Sequence, residues 1–266
     1  MHILIVVGSG IKSIAHLTEE TKRVVQNADK VLYLVNEESL KAWIAREAKE
    51  AESLESIYFN SDKRVDAYHN ITTYIVNEYQ KVKNLCVVFY GHPVVFAESA
   101  LSAVKKIRAE NGNAIILPAV SSMDCLFADL QIDPGDQGCF AIDATELLIY
   151  ERRVDIYAHV ILWQISNLGV HDINKTKKLN VLCDYLRGYY LEEQQVCIYE
   201  AAILPLQKPR IEWLKLPDLN QAEVNPISTL YIPPITQRVL SNKYLNLLAM
   251  DVRDFKLSGD SHTSSK

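Results

Sequence analysis

The sequence predicts an α/β protein of two domains, and three observations lead to this. With 266 residues, the chain is longer than one hydrophobic core usually fills. Its first half alternates short apolar runs with helical patterns, which is typical of a parallel sheet with crossover helices. In the second half, strand-like runs follow one another closely, which favours a mixed or antiparallel sheet. We expect domains over residues 1–118 and 119–235, followed by a helix and a disordered polar tail within 236–266.

The composition excludes several classes of partner. The chain is 48% apolar and 23% charged with a net charge of −5, and it has no basic stripe that would bind nucleic acid. No apolar run is long enough to cross a membrane, and the N-terminal run is too short for a signal peptide, so we expect a cytoplasmic protein. The five cysteines are scattered, which predicts buried packing residues and no metal site.

The first strand and helix are separated by a glycine-rich turn. Residues 2–7 read as a buried strand that runs into Gly8-Ser9-Gly10, a turn without the spacing of a dinucleotide-binding motif. Thr18 is placed to cap the following helix. A second apolar run over 31–35 predicts another strand, after which Asn36 is expected to cap a helix that reaches about residue 50.

The stretch over residues 85–96 is the one around which the chain is organised. Its apolar first half predicts a buried strand that ends at Tyr90-Gly91-His92-Pro93. A helical pattern over 97–108 and a strand over 114–118 follow. Because ligands of open α/β sheets collect at the carboxyl ends of strands, we expect residues 90–96 to form the floor of the main site.

A polar and aromatic segment precedes this strand. A helix is expected from about Asp62, which puts Arg64 and Tyr68, four residues apart, on one face. Tyr58 is expected in the loop just before that helix. The spacing alone fits an exposed Arg–Tyr pair as well as it fits a site.

In the second half, Ser121 or Ser122 can cap a helix whose free N–H groups point into the same cleft and could hold a carboxylate. Further strands are expected over 139–145, 158–165, 195–203, 211–216 and 228–232, with a helix over 173–185. A last helix over about 236–255 has apolar residues at helical spacing, which predicts a dimer contact: Val239, Leu240, Tyr244, Leu247 and Leu248.

The order of several short motifs resembles the tetrapyrrole (corrin and porphyrin) methylase superfamily. These motifs are Val7-Gly-Ser-Gly10, Tyr90-Gly-His-Pro93 with Phe96, Pro118-Ala-Val-Ser-Ser122, Trp163-Gln164 and Ser228-Thr-Leu-Tyr-Ile-Pro-Pro234. The resemblance implies a two-domain methyltransferase with S-adenosylmethionine in the cleft between the domains and S-adenosylhomocysteine as product. It assigns Gly8 and Gly10 to the substrate side of that cleft. The cofactor contacts that it implies are Tyr90, His92, Val95, Phe96, Ser121, Ser122, Gln164, Ala202, Ser228 and Thr229.

Within the superfamily, the Tyr58, Arg64 and Tyr68 cluster resembles the peptide-backbone α-N-methyltransferases of borosin biosynthesis. With Tyr90, these residues are the implied catalytic set. Fused members carry an extension that ends in an apolar core peptide, whereas this sequence ends in a polar stretch and so resembles the split type. That implies a separate precursor peptide with an apolar core, bound by a homodimer as a heterotetramer. Relatives often have glycine where this chain has Val94.

Two other functions remain open at this stage. One is methylation of a tetrapyrrole ring carbon, which should require several basic residues to seat a polyanion, and only Arg64 is prominent here. The other is a catalytically inert relative that only binds peptides.

Overall fold

Five strands from the first half of the chain form one parallel sheet. The computed structural model describes residues 2–61, 63–169, 178–235 and 240–253, and only the backbone of Arg64. The sheet has the order β3-β2-β4-β1-β5, with β1 (Ile3–Gly8), β2 (Lys30–Leu34), β3 (Ala51–Ser53), β4 (Asn84–Phe89) and β5 (Asn113–Ile116). The central strand β4 is buried over residues 85–89, which explains its unbroken apolar run. Because all strands are parallel, their carboxyl ends lie at one edge.

Helices cover both faces of this sheet, and they are α1 (Glu19–Asn27), α2 (Glu38–Glu47), α3 (Glu55–Phe59), α4 (Arg64–Tyr79) and α5 (Glu98–Ala109). Helices α1 and α2 share a core with Val31 and Val88 on one face. Helices α4 and α5 pack on the other face, where Ile71 and Ile75, four residues apart, are fully buried. Burial of each such side chain contributes roughly 1.5–3 kcal/mol.

The second sheet is mixed and has the order β6-β7-β10-β8-β9. Strands β6 (Cys139–Asp143) and β7 (His159–Trp163) are parallel, and β10 (Thr229–Ile232), β8 (Gln195–Glu200) and β9 (Arg210–Lys215) continue the sheet with antiparallel pairing. Its helices are α6 (Ser122–Leu130), α7 (Pro134–Gln137), α8 (Ala144–Ile149), α9 (Leu179–Leu186) and α10 (Asn242–Leu247). Within the described ranges, no helix is both long and apolar enough to span a membrane.

The predicted α/β fold with a parallel first sheet and a mixed second sheet is confirmed. Thr18 caps α1 as expected, because its side chain accepts a hydrogen bond from Thr21 N. The sequence did not predict the short edge strand β3, whose three residues carry too little pattern to be recognised. The predicted tail after residue 257 lies outside the described residues.

Four local predictions are wrong. Glu37 caps α2 instead of Asn36, since its carboxylate accepts from Leu40 N, and the helix ends at Glu47. Tyr58 lies within α3 and not in a loop. Cys139 is exposed, because β6 is an edge strand.

The fourth concerns the last helix, which was expected to be continuous: α10 spans Asn242–Leu247, and residues 248–252 are not helical. Residues 236–239, which include Val239, and the end of the expected helix lie outside the described residues.

Candidate active site

Two glycine turns meet at the carboxyl ends of neighbouring strands β1 and β4. Gly10 N donates to Gly91 O at 3.2 Å, and Gly91 N donates to Gly10 O at 3.1 Å. A Cβ atom at Gly8 would lie 2.2 Å from Gly91 O, so only glycine allows this approach. The contact fixes the position of the loop over residues 90–96. Gly8 and Gly10 themselves pack these turns and do not line the two chambers described below.

A cavity of about 370 Å³ lies between the carboxyl edge of the first sheet and the second sheet. We call it the inter-sheet chamber. All of the predicted cofactor residues except Ala202 line it: Tyr90, His92, Val95, Phe96, Ser121, Ser122, Gln164, Ser228 and Thr229. Ala202 is buried, and its neighbour Ala201 lines the chamber instead. Residues far apart in sequence are therefore brought to one cavity.

The loop after β4 and the turn after β7 form one wall of this chamber. The Phe96 and Trp163 rings meet edge to face, with centroids 5.3 Å apart. Phe96 and Gln164 both adopt the left-handed backbone conformation, with φ values of 54° and 59°. Such conformations are costly for residues other than glycine and are found where the surrounding structure enforces them, often at functional sites.

Helix α6 begins at the chamber with Ser121 as its cap. Ser121 Oγ accepts from Asp124 N at 3.2 Å, while Asp124 Oδ2 accepts from Ser121 N at 2.6 Å and from Ser121 Oγ at 2.8 Å. Of the two serines that could cap α6, Ser121 is therefore the one that does so. Because Asp124 already places a carboxylate at this helix end, the expectation that its N–H groups hold a ligand carboxylate is not favoured.

On the opposite side, Ser228 is held by a charged network. Ser228 Oγ donates to Glu200 Oε1 at 2.6 Å and accepts from Asn225 N at 2.9 Å, and Arg210 Nη1 reaches the same carboxylate at 2.7 Å. Burial opposes ionisation of Glu200, but the hydrogen bonds from Ser228, Asn225 and Arg210 outweigh it and lower its pKa. Next to Ser228, the Thr229 side chain is buried, and its hydroxyl has no partner among the described residues. It is therefore available to a ligand.

A second cavity of about 250 Å³ adjoins the first, and we call it the aromatic chamber. Five residues line both cavities and form a shared wall: Asn36, Tyr58, Tyr90, Val95 and Phe96. The residues that line only the aromatic chamber are mostly apolar, and they are Leu34, Glu55, Phe59, Tyr68, Phe89, Ala97 and Ser99.

Three phenols meet at this chamber. Tyr58 and Tyr68 come from α3 and α4, and their ring centroids lie 6.3 Å apart. Tyr90 follows β4, and burial raises its pKa, so its hydroxyl stays protonated at neutral pH and can donate a hydrogen bond. Arg64 begins α4 one turn before Tyr68, and its side chain lies outside the described residues.

Comparison with known proteins identifies the family. The model of the family "Tetrapyrrole (Corrin/Porphyrin) Methylases" matches residues 3–215. The chain belongs to this family. The predicted family and fold are thereby confirmed, and the methylase fold accounts for a site at the edge where the two sheets meet.

Fungal relatives of this methylase resemble it throughout most of its length. It is 38% identical to the "methyltransferase/ribosomally synthesized cyclic peptide lentinulin A precursor" of Lentinula edodes over 87% of this chain and 57% of the relative. It is 35% identical to a "type II borosin cyclic peptide precursor" methyltransferase of Phlebiopsis gigantea over 94% of this chain and 47% of the relative. The chain therefore spans about half the length of these curated relatives.

Solved methylases share the fold at low sequence identity. The uroporphyrin-III C-methyltransferase of Thermus thermophilus, solved in complex with S-adenosyl homocysteine, matches with a TM-score of 0.61 and 16% identity over 86% of this chain and 91% of that chain. A cobalt precorrin-4 methyltransferase matches with a TM-score of 0.63 and 14% identity over 87% of this chain and 94% of that chain.

Sequence reasoning missed three polar residues of the aromatic chamber, which are Asn36, Glu55 and Ser99. Asn36 was assigned to a helix cap, yet it lines both chambers, and its side chain makes no hydrogen bond to any described residue. The strand order could have located it, since Asn36 follows β2 and β2 pairs with β4. Ser99 was read only as part of a helix, and no motif marks it.

Proposed function

We propose that this chain transfers the methyl group of S-adenosylmethionine to backbone amide nitrogens of a peptide that is supplied as a separate chain. The observation that carries the proposal is the wall shared by the two chambers. A cofactor in the inter-sheet chamber and an amide in the aromatic chamber would meet at Tyr58 and Tyr90. Relatives named as methyltransferase and cyclic peptide precursor support the peptide as substrate class.

The residues of the inter-sheet chamber fit this cofactor. When bound, S-adenosylmethionine supplies a methyl group activated by a sulfonium. Among the described residues, the Thr229 hydroxyl has no hydrogen-bond partner, and the Gln164 amide is engaged only through its oxygen, by Asn167 at 2.6 Å. The Phe96 and Trp163 rings offer apolar surface beside them. The S-adenosyl homocysteine found in the Thermus enzyme of the same fold supports this assignment.

The aromatic chamber offers the groups that amide methylation requires. An amide nitrogen shares its lone pair with the carbonyl, so it becomes nucleophilic only as an imidate. We assign Arg64 to stabilise the negative charge that develops on the carbonyl oxygen. Tyr90, which stays protonated, is assigned as a hydrogen-bond donor at the shared wall. We assign Tyr58 and Tyr68 to orient the amide, and one of them, as its phenolate, to take the proton that the amide nitrogen loses.

The charge of the aromatic chamber disfavours a tetrapyrrole as substrate. Glu55 is the only charged side chain among its described lining residues, and it is paired with Lys41 at 2.7 Å. A polyanionic macrocycle would find no described lysine or arginine in the lining to balance its charge. A peptide segment with apolar side chains suits the remaining surface, which is formed by Leu34, Phe59, Phe89 and Ala97.

We also propose that the active form is a homodimer, which with two precursor peptides would make a heterotetramer. Support comes from α10 and the residue after it, where Tyr244, Leu247 and Leu248 are exposed. Adjacent exposed apolar side chains on a short helix are stabilised when a second subunit covers them.

Calorimetric titration with S-adenosylhomocysteine tests the cofactor assignment. We expect saturable binding that is weakened by Thr229→Val, which keeps the shape of the side chain and removes its hydroxyl. Thr73→Val is a matched control, because Thr73 lies on α4 away from both chambers. Absence of both heat and a thermal shift at high ligand concentration would refute the proposal.

A further inference from the structure

The His16 side chain folds back onto the turn that follows β1. His16 ends a short 3-10 helix over Ser13–His16, and its Nδ1 accepts hydrogen bonds from Ile11 N at 3.2 Å and from Lys12 N at 3.1 Å. These two N–H groups lie beyond the end of the strand and have no other acceptor among the described residues. Because backbone N–H groups inside a protein are costly to leave unpaired, the imidazole fixes the path of this turn.

The turn that His16 holds is part of the wall of the inter-sheet chamber. Ile11, whose N–H group His16 accepts, is buried and lines that chamber. The preceding Gly10 is joined by two N–H···O bonds to Gly91, which lines the chamber as well. A Cβ atom at Gly10 would lie 2.3 Å from His16 Cβ, so the side chain packs directly on the turn. His16 lines neither chamber, and it therefore acts on the site only through this backbone.

Only the neutral imidazole can accept these two bonds. Since Nδ1 accepts, the ring proton lies on Nε2, and a second proton on Nδ1 would point an N–H group at two N–H donors. Burial, and after it the positive charge of Lys12, lower the pKa of His16 from its ordinary value of 6.5. Helix α2 packs on the same turn, where its cap Glu37 is engaged by Ser13 Oγ at 2.8 Å and by Ser39 Oγ. His16 is therefore neutral at pH 7 and supplies the acceptor.

We propose that His16 is a positioning residue whose neutral form holds residues 10–12 in the wall of the inter-sheet chamber, and that its protonation weakens cofactor binding. The inference rests on the proposed function, because it takes this chamber as the cofactor site. Protonation would turn the Ile11 and Lys12 N–H groups away from the ring and would displace Ile11 from the wall. Because the neutral form is the one that fits, the affinity should be complete above pH 6.5 and should fall as the pH drops through the lowered pKa of His16.

Calorimetric titration of two variants with S-adenosylhomocysteine tests the proposal. In His16→Asn, the side-chain oxygen takes the place of Nδ1 as an acceptor and does not titrate, whereas His16→Ala removes the acceptor. At pH 7.5 we expect His16→Ala to bind about tenfold more weakly and His16→Asn to stay near the unaltered protein. Between pH 7.5 and pH 5.5 the unaltered protein should lose about threefold more affinity than His16→Asn. His92 lines the chamber in both proteins, so any contribution from it cancels.

His2→Asn is the matched control, since His2 is exposed, its Nδ1 contacts Val82 O, and it lines neither chamber; it should keep both the affinity and its pH profile. Long-range ¹⁵N–¹H NMR spectra should show His16 protonated at Nε2 and not at Nδ1 at neutral pH, a readout that needs no ligand.

Three results would each overturn the role of His16: the same pH profile in the unaltered protein and His16→Asn, full affinity in His16→Ala, or a proton on Nδ1 at neutral pH. If His16→Ala does not fold, the pH profile of His16→Asn still decides. The two proposals fail differently. Binding of S-adenosylhomocysteine that is indifferent to His16 contradicts only the positioning role, whereas an unaltered protein that binds none of it contradicts the proposed function and this inference together.

Discussion

Tyr58 and Tyr68 lie with their ring centroids 6.3 Å apart and their planes tilted by 40°, although they belong to different helices. Both line the aromatic chamber together with Tyr90. A pair of phenols in this arrangement can contact both the oxygen and the nitrogen of one amide group. We expect both phenols to act on the substrate and to contribute little to the stability of the fold.

Tyr68→Phe should therefore reduce turnover by about 100-fold or more, the range of general acid–base groups, while the affinity for S-adenosylhomocysteine stays unchanged. Single-turnover methylation and calorimetry measure the two effects. Tyr74→Phe is the control: Tyr74 lies on the same helix and donates to Glu52 at 2.5 Å, outside both chambers. We expect it to lower the melting temperature without loss of turnover. Equal loss of turnover in both variants would contradict the assignment.

Arg64→Ala should abolish most of the turnover, because the charge that develops on the amide oxygen would lose its cationic partner. The melting temperature should change little, since Arg64 stands at the first position of α4 and alanine favours a helix. Lys63→Ala removes a neighbouring positive charge and should keep normal turnover. Methylation near the normal rate in Arg64→Ala would disprove this role.

Glu200→Gln tests the network around Ser228 through its pH dependence. Because the pKa of Glu200 is lowered from an ordinary value of 4.5, the carboxylate stabilises the folded state at neutral pH, and this stabilisation is lost as the pH falls through the lowered pKa. The variant should lose about 1–2 kcal/mol of unfolding free energy at pH 7. The difference should narrow at acid pH. A difference that is constant from pH 7 to pH 3 would contradict the role of the ionised carboxylate.

Leu247→Glu tests the proposed dimer. Leu247 is 70% exposed on α10, so the substitution should leave the fold of a monomer unchanged. If α10 lies in a subunit interface, a buried unpaired charge would dissociate the dimer, and sedimentation velocity would show monomers. Asn246→Asp adds a negative charge beside it as a control. A dimer that persists in Leu247→Glu, or a monomer before any substitution, would count against the interface.

Much of the fold could be predicted because each strand or helix has its own pattern in the sequence. The apolar run of β4 predicts a strand buried on both faces, and the Thr18 side chain predicts the start of α1; both signals are local. Local signals also produced the errors. Asn36 and Glu37 are both able to cap α2, and only the packed structure shows that Glu37 caps it.

The candidate site was harder to predict because it depends on which strand ends meet. The resemblance to known methylases supplied residues such as Gln164 and Ser228, which carry no signal of their own. Ser99 could not be found in this way, because it belongs to no motif and only the packed structure shows that it lines the aromatic chamber. Only the three-dimensional surroundings of a side chain reveal such a feature.

The most direct test of the central claim is the mass of an added peptide after incubation with the protein and S-adenosylmethionine. Intact mass spectrometry followed by fragmentation should be applied to the peptide and to the protein itself. We expect increments of one methyl group on the peptide, located on backbone nitrogens, and none on the protein. Increments on peptide side chains with unmodified backbone nitrogens would contradict the chemistry, and increments on the protein chain would contradict delivery of the substrate as a separate peptide.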